Sequence, residues 1–220
     1  MAVVFMDLAQ HCAPMVDVRT LAAVISLESG FSPFAIRINS GPPLERQAAS
    51  KAEAIELATS LVADRQDIQI GLGGLGEAEL RRLKLSISDA FDPCLNLKAT
   101  GTLLDGYYRL ALRSGADAKQ AEKVMLQSYY GRDDPSVGEM IKYDEQVHQE
   151  MVRLPSDLAS LAIAEPREDA PRADRPASRE TTPAAQFLPQ SGEAASWDVF
   201  NARRSSRVLV FQNDQSEQSE

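Results

Sequence analysis

Helix start signals recur through residues 1–154 and constrain the fold more than any other feature of the chain. Asp17, Ser50 and Asp92 each stand before a segment whose apolar residues recur every three or four positions, the pattern of an N-cap followed by an amphipathic helix. Pro93 adds a second signal, because proline is favoured at the first helical position. The pattern predicts one mainly α domain.

The predicted helices also have recognisable ends. Gly30 and Gly115 follow the first and third segments, and glycine is common just past a helix C-terminus. Only residues 67–75 suggest anything other than helix or loop, since they contain a strand-like Ile-Gln-Ile. The helices are predicted from Asp17 to Glu28, from Lys51 to Val62, from Asp92 to Gly115, from Ala118 to Tyr129 and from Asp134 to Met151.

The composition indicates a folded protein and argues against two classes of function. Hydrophobic residues make up 44% of the 220 residues, enough for one ordinary domain with a real core. The formal net charge of -9 argues against a nucleic-acid partner, because phosphate backbones are met by surplus Lys and Arg. No apolar run approaches the roughly 20 residues that span a bilayer. The N-terminus lacks the basic region of a standard signal peptide.

The composition changes after Leu154. Residues 155–195 hold six of the twelve prolines, mixed with Ala, Arg, Glu, Ser and Thr. Such a mixture cannot bury enough apolar surface to offset the entropy of ordering, so we predict a flexible linker. Residues 196–220 form a disordered tail in which residues 196–211 carry the only tryptophan and two apolar clusters. This motif either docks back on the domain or binds a partner as a strand or short helix.

Cys12 and Cys94 are the two cysteines of the chain. Their spacing is compatible with two buried thiols and equally with one disulfide that joins the start of the chain to a later helix. A disulfide closing a loop of this length would stabilise the fold by about 4 kcal/mol in the chain-entropy model. It would also require an oxidising compartment.

The segment from Gly71 to Gly76 reads G-L-G-G-L-G and formally matches the glycine pattern of dinucleotide-binding proteins. That interpretation requires parallel strands on both sides and an acidic residue about 20 positions later. Asp89 or Asp92 could supply the acidic residue, but nothing around the motif predicts the parallel strands. A glycine-rich turn that lines a cleft is the better interpretation, and no cofactor is expected.

Glu28 closes an apolar helix and is followed at once by a Ser-Gly-Phe turn. The partial negative charge at a helix C-terminus disfavours ionisation of a carboxyl group, and Leu27 and Phe31 could keep water away from it. Both effects suit a general acid that must hold a proton near neutral pH. The alternative is an ordinary solvated glutamate in a last helical turn.

The segment L-E-S-G-F-S-P-F-A-I, residues 27–36, resembles the catalytic motif of the soluble lytic transglycosylases. Three later segments follow in that family's order: I-G-L-G-G-L-G (70–76), F-D-P-C-L-N-L (91–97) and S-Y-Y-G (128–131). With Cys12, Cys94 and the tail motif, the chain is most similar to the transglycosylase component of VirB-type type IV secretion and conjugation systems. The resemblance covers about residues 5–154 and the tail.

This resemblance implies a lysozyme-like α fold and cleavage of the β-1,4 bond between N-acetylmuramic acid and N-acetylglucosamine, with a 1,6-anhydromuramyl product. Glu28 would act first as acid and then as base, so that one carboxylate suffices where most glycosidases use two. Ser29 would position the substrate or Glu28. Tyr129 would hold the glutamate or the sugar through its hydroxyl, and Tyr130 stands where the family usually has asparagine. Neither a metal nor a cofactor is implied.

One departure from the family concerns the glycan-binding wall that Gly73 and Gly74 are expected to form. The family usually has glutamine at the position of Gly74, so this chain lacks one hydrogen-bonding side chain. Such a loss costs roughly 1 to 3 kcal/mol of binding. Asn39 or Gln69 could substitute for it.

The sequence leaves three functions open. The first is a periplasmic transglycosylase that opens peptidoglycan locally for a secretion channel, whose subunits could contact residues 196–211. The second is a non-catalytic factor of the same system that binds peptidoglycan and recruits channel subunits. The third, a cytosolic helical adaptor, rests only on the missing signal peptide and requires Cys12 and Cys94 to be reduced.

Overall fold

A computed structural model of the protein describes residues 3–163, which contain a mainly helical domain. The helices are α1 (Phe5–Cys12), α2 (Val18–Ser29), α3 (Lys51–Ala63), α4 (Glu77–Leu83), α5 (Ile87–Ala90), α6 (Pro93–Arg113), α7 (Ala118–Tyr130), α8 (Pro135–Met140) and α9 (Tyr143–Arg153), with a short 3-10 helix at Leu158–Ser160. The strands are β1 (Val3–Val4), β2 (Ile36–Ile38), β3 (Ile68–Ile70), β4 (Leu75–Gly76) and β5 (Ala162–Ile163). The prediction of a mainly α, lysozyme-like domain with a small β segment is confirmed.

Helix α2 runs through the centre of the domain. Residues 21–25 are fully buried, so this helix is covered on all sides rather than along one face. Its start is as predicted, because the Asp17 side chain accepts hydrogen bonds from the backbone N–H groups of Arg19 and Thr20. Gly30 ends the helix in the left-handed conformation, at a φ of 57°, which glycine adopts without strain. These two signals place Glu28 in the last turn of a buried helix.

The start signals of two other helices are also confirmed. The Ser50 side chain accepts a hydrogen bond from the backbone of Glu53 at the start of α3. Asp92 does the same for Leu95 at the start of α6, where Pro93 occupies the first helical position. Each cap satisfies a backbone N–H group that the helix itself leaves without a partner.

The prediction of a single helix from Asp134 to Met151 is wrong. Helix α8 ends at Met140 and α9 begins at Tyr143, with Lys142 between them in the left-handed conformation at a φ of 56°. Helix α8 packs against α7 so closely that a Cβ on Gly138 would lie 2.2 Å from the carbonyl oxygen of Gln127. Helix α9 packs mainly against α2 and less extensively against α7. The break at Lys142 thus turns the chain from α7 toward α2 and brings Tyr143 to the end of α2.

Helix α1 was not predicted, because its eight residues are too few to show a clear helical period. It buries Phe5, Ala9 and Cys12. The sequence left the state of the cysteines open, and the structure joins Cys12 to Cys94 in a disulfide with a Cα–Cα distance of 5.4 Å. The bond attaches the end of α1 to the first turn of α6.

The small sheet has the order β2-β3-β4, and both strand pairs are antiparallel. Ile70 in β3 lies opposite Ile36 on one side and Leu75 on the other, and all three side chains are buried. The strand-like stretch at residues 67–75 is therefore confirmed, whereas β2 was not predicted. Within residues 3–163 every strand pair is antiparallel, so the parallel strands required by the dinucleotide interpretation of the glycine motif are not present there.

The predicted boundary between domain and linker is too early in the chain. Leu158 and Ile163 are buried, and β5 pairs with β1 in the register Val3 to Ile163. Residues 155–163 therefore pack as part of the domain. The rest of the predicted linker and the whole tail, including residues 196–211, lie outside the described residues. Among the described helices, none has both the length and the apolar character needed to cross a membrane.

Candidate active site

The Glu28 side chain lines the first of two adjoining grooves. The first, of about 320 Å³, contains Ser29, Arg37, Leu44, Gln69 and Gly74 beside Glu28 in its lining. The second, of about 430 Å³, is lined by Arg37, Ile38, Asn39, Asp67, Gln69, Tyr130, Gly131, Arg132 and Val137. Arg37, Ile38 and Gln69 belong to both linings, so the grooves adjoin along the sheet. The Glu28 side chain is only 4% exposed, which rules out the solvated last-turn glutamate considered from the sequence.

Two side chains hold the Glu28 carboxyl from opposite elements. The Tyr143 hydroxyl, at the start of α9, donates a hydrogen bond of 2.6 Å to Oε1. Nη2 of Arg37, in β2, lies 2.8 Å from Oε2 and forms an ion pair with it. Burial and the nearby negative charge of Glu28 raise the pKa of Tyr143 well above its usual value. Tyr143 therefore remains a protonated hydrogen-bond donor.

The surroundings of Glu28 differ from the apolar setting expected from the sequence. Leu27 and Phe31 are partly buried but pack against the core, and the ring of Phe31 meets Phe5 edge-on at 5.2 Å between centroids. The immediate neighbours of the carboxyl are instead Tyr143 and Arg37. In the free protein this carboxyl therefore forms an ion pair with Arg37.

Gly74 brings backbone directly against Glu28. Its φ is +64°, and a Cβ built on it would lie 2.8 Å from Glu28 Oε2. A side chain at this position would be strained and would also collide with the carboxyl group. Gly74 therefore suits a turn that brings the backbone directly against the Glu28 carboxyl.

Gly73 lies behind the groove wall rather than on it. It is buried, its N–H donates to Oδ1 of Asn96 at 2.8 Å, and its carbonyl accepts a 2.5 Å hydrogen bond from the Tyr129 hydroxyl. Burial first, and then the charge of Glu28, raise the pKa of Tyr129. The structure thus gives Gly73 and Tyr129 a positioning role. They hold the glycine turn in place, and the contact of Tyr129 is with this turn.

Tyr130 and Ser29 do reach the grooves. The ring of Tyr130 packs on the ring of Tyr143 at 4.9 Å between centroids, and it lines the second groove. Ser29 lines the first groove, although its hydroxyl donates back to the carbonyl of Ile25 at 3.1 Å. In the free protein Ser29 is therefore bonded to its own helix.

Of the two residues suggested as replacements for the missing glutamine, Gln69 is the better placed. It lines both grooves, and its Oε1 accepts a hydrogen bond from Arg37. Asn39 donates to Asp67 at 3.0 Å in the second groove. Burial acts to raise the pKa of Asp67, but hydrogen bonds from Arg132 and Asn39 outweigh it and lower the pKa. Asp67 is thus the charged partner of Arg132.

Sequence reasoning missed Tyr143, Arg37 and Asn96 as site residues. Asn96 had a signal, since it lies in the F-D-P-C-L-N-L segment, and it is fully buried between Gly73 and the carbonyl of Ala90. Tyr143 and Arg37 had none, because their roles depend on how distant elements pack. Within residues 3–163 no cluster of three or more potential metal ligands occurs. The site has the parts needed for proton transfer to or from a ligand in the grooves.

The sequence was compared with known proteins. It is 32% identical over 208 residues to proteins named type IV secretion system protein virB1 from Brucella abortus and Brucella suis, covering 86% of this chain and 87% of theirs. It is 29% identical over 199 residues to a protein named virB1 from Agrobacterium fabrum, covering 90% of this chain and 71% of the relative. No family model and no solved structure matches the chain.

Proposed function

Because the chain belongs to the VirB1 family of type IV secretion system proteins, we propose that it is a peptidoglycan lytic transglycosylase of such a system. It would cleave the β-1,4 bond between N-acetylmuramic acid and N-acetylglucosamine and leave 1,6-anhydromuramyl ends, opening the cell wall locally for the channel. The observation that carries this proposal is the position of Glu28, whose side chain is 4% exposed, lines the first groove and accepts a hydrogen bond from the neutral Tyr143 hydroxyl.

Glu28 would move one proton twice. In the first step it donates a proton to the glycosidic oxygen, the bond from that oxygen to the muramyl anomeric carbon breaks, and the N-acetylglucosamine end leaves as an alcohol. In the second step the 6-hydroxyl of the same muramyl residue attacks the anomeric carbon and returns its proton to Glu28. No water is consumed, so a second carboxylate is not needed.

Tyr143 would serve both steps by holding the carboxyl in one orientation. Its hydrogen bond to Oε1 leaves Oε2 as the oxygen that faces Gly74 and the grooves. Arg37 pairs with the Glu28 carboxyl in the free protein. The ion pair between Arg37 and Glu28 must open before the first step, because a carboxylate in an ion pair has no proton to donate.

We also propose that the protein acts in the periplasm and contacts channel subunits through residues 196–211. The Cys12–Cys94 disulfide supports an oxidising compartment and argues against the cytosolic adaptor. The contact with channel subunits is tested by deleting residues 196–211, which should reduce secretion without changing the products formed from purified peptidoglycan.

The activity is tested on purified sacculi with the wild-type protein, Glu28→Gln and Glu56→Gln. Glu56 is an exposed glutamate on α3 and makes a charge-matched control. We expect anhydromuropeptides from the wild type and from Glu56→Gln, and a loss of at least about 100-fold with Glu28→Gln. Mass spectrometry distinguishes these products from reducing ends, which would identify a hydrolase instead and contradict the proposal.

A second candidate function is a non-catalytic factor that binds peptidoglycan and recruits channel subunits. Two observations favour it: the Arg37 ion pair on Glu28 and the absence of a side chain at Gly74. Secretion by cells that carry Glu28→Gln decides between the two. Intact secretion with that variant would favour the non-catalytic factor, and lost secretion would favour the enzyme.

A further inference from the structure

Arg37 is the groove residue that the proposed reaction does not by itself explain. It pairs with the carboxyl that must act as an acid, at 2.8 Å from Oε2. We propose that Arg37 determines substrate specificity: it pairs with Glu28 in the free protein and with a carboxylate on the muramyl residue when glycan is bound. This inference rests on the proposed function and adds the substrate class, an anionic glycan.

The two partners of the ion pair differ in their freedom to move. The side chain of Arg37 is 43% exposed, whereas that of Glu28 is 4% exposed and is held by Tyr143 on its other oxygen. When the pair opens, Arg37 is therefore the group that moves into the groove. Its second partner, Gln69, lines the same grooves, so a shift of the guanidinium along the sheet keeps a hydrogen-bond acceptor nearby.

Arg37 is also the cation best placed to meet a substrate charge. Among the described residues that line the two grooves, the cations are Arg37 and Arg132. Arg132 already pairs with Asp67 at 2.9 Å, and no step of the reaction requires that pair to open. The partner of Arg37, by contrast, must lose its charge before it can protonate the glycosidic oxygen.

The substrate offers a matching group in one of its two sugars. N-acetylglucosamine is neutral, whereas muramic acid carries a lactyl ether whose carboxyl is either free or linked to a stem peptide with carboxylates of its own. A guanidinium binds a carboxylate through two parallel hydrogen bonds, which gives both charge and geometric selectivity. The shared chemistry is thus a carboxylate attached to the muramyl residue.

Gly74 explains why this chain can place an arginine there. A Cβ at Gly74 would lie 2.8 Å from Oε2 of Glu28, the same oxygen that Arg37 contacts. The backbone turn therefore excludes a side chain of its own and leaves that oxygen to Arg37. When the arginine leaves for the substrate carboxylate, Glu28 takes up one proton from solvent, which is the proton it then donates.

The specificity is tested by binding, so that no turnover is needed. We propose titration calorimetry with three soluble glycan tetrasaccharides: peptide-free with free lactyl carboxylates, the same with those carboxyls capped as methylamides, and peptide-bearing. The proteins are Glu28→Gln, Glu28→Gln with Arg37→Met, and Glu28→Gln with Arg113→Met. Arg113 is exposed at the end of α6 and controls for the loss of one positive charge.

Glu28→Gln should bind at least one of the anionic glycans about tenfold more tightly than the capped glycan. Arg37→Met should abolish that preference and Arg113→Met should keep it. Tight binding of the peptide-free glycan identifies the lactyl carboxylate as the group that Arg37 binds. Tight binding of the peptide-bearing glycan alone identifies a carboxylate of the stem peptide. A preference that survives Arg37→Met overturns the inference. If the protein with Arg37→Met has a lower melting temperature than the Arg113→Met control, Arg37→Gln is used in its place.

A comparison with the wild type tests the exchange of partners. Because Glu28 competes with the substrate for Arg37, Glu28→Gln should bind the anionic glycan severalfold more tightly than the wild type while binding the capped glycan equally. Equal affinity for the anionic glycan would overturn the inference. Failure of the proposed activity shows instead as absent anhydromuropeptides with the charge preference intact, so the two failures are distinguishable.

Discussion

Two walls of different character meet at Glu28. The helical wall consists of Tyr130 and Tyr143, and the sheet wall consists of Arg37, Gln69 and Gly74. On the helical wall the partner of the carboxyl is Tyr143, an uncharged hydroxyl that is 2% exposed. On the sheet wall the partner is a charged side chain that is 43% exposed. The carboxyl therefore has one fixed, neutral neighbour and one movable, charged neighbour.

The contrast between a fixed neutral neighbour and a movable charged one indicates how one glutamate could alternate between acid and base. A neutral donor tolerates both protonation states of its partner, because the hydroxyl can also accept a hydrogen bond from the acid form. An arginine favours one state only, so it has to be able to leave. The burial of Tyr143 and the exposure of Arg37 fit these two requirements.

The largest effect should come from the anchor of the sheet wall, Asn96. Replacing it by alanine leaves the buried N–H of Gly73 and the carbonyl of Ala90 without partners, and we expect the free energy of unfolding to fall by about 3 kcal/mol. Denaturant titration under oxidising conditions measures this. Asn39→Ala removes an exposed hydrogen bond and should cost less than about 1 kcal/mol. Equal losses in the two variants would show that the glycine turn does not depend on this anchor.

The next largest effect tests the helical wall. Tyr143→Phe removes the hydrogen bond to Oε1 of Glu28 and keeps the ring stacked on Tyr130. We expect the rate of anhydromuropeptide formation to fall by about 10- to 100-fold, because the orientation of the acid is lost. Tyr108→Phe, a partly buried tyrosine on α6, is the matched control and should leave the rate unchanged. A wild-type rate in Tyr143→Phe would remove the helical wall from the mechanism.

The smallest effect concerns the edge of the sheet wall. Gly74→Ala places a methyl group 2.8 Å from Oε2 of Glu28 on a backbone with φ of +64°, and we expect a loss of about 1 to 2 kcal/mol of stability. Gly106→Ala, within α6, has no atom within 4 Å of the added methyl and should be neutral or stabilising by up to about 1 kcal/mol. Thermal melts of both variants provide the measurement. A Gly74→Ala protein as stable as Gly106→Ala would mean that the turn can move away from Glu28.

The sequence was most informative where structure depends on neighbouring residues. Asp17 and Gly30 fixed the two ends of α2, and with them the placement of Glu28 in a final turn. It was less informative where an element is short or where the chain changes partner. Helix α1 was missed, and the break at Lys142 was hidden because Asp134 and the apolar residues after it suit one continuous helix.

For the candidate site, the sequence singled out Glu28 and the glycine turn, and the structure places Gly74 directly against Glu28. The sequence predicted that Tyr129 would hold the glutamate or the sugar, and the structure has this hydroxyl bonded to the carbonyl of Gly73. Tyr143 holds Glu28 although the two are 115 residues apart. The spacing of Cys12 and Cys94 did not decide between two free thiols and a disulfide. The packing of α1 on α6 brings the two cysteines together in a disulfide.

Local sequence signals are enough to predict the helical class and the starts of α2, α3 and α6. The reason is that caps and helical periods act over one or two turns of backbone. The contacts of Glu28 with Tyr143 on one oxygen and Arg37 on the other arise instead from the packing of distant elements. Those contacts depend on how α9 packs against α2 and where β2 passes the glycine turn, and no signal within a few residues of Glu28 specifies either.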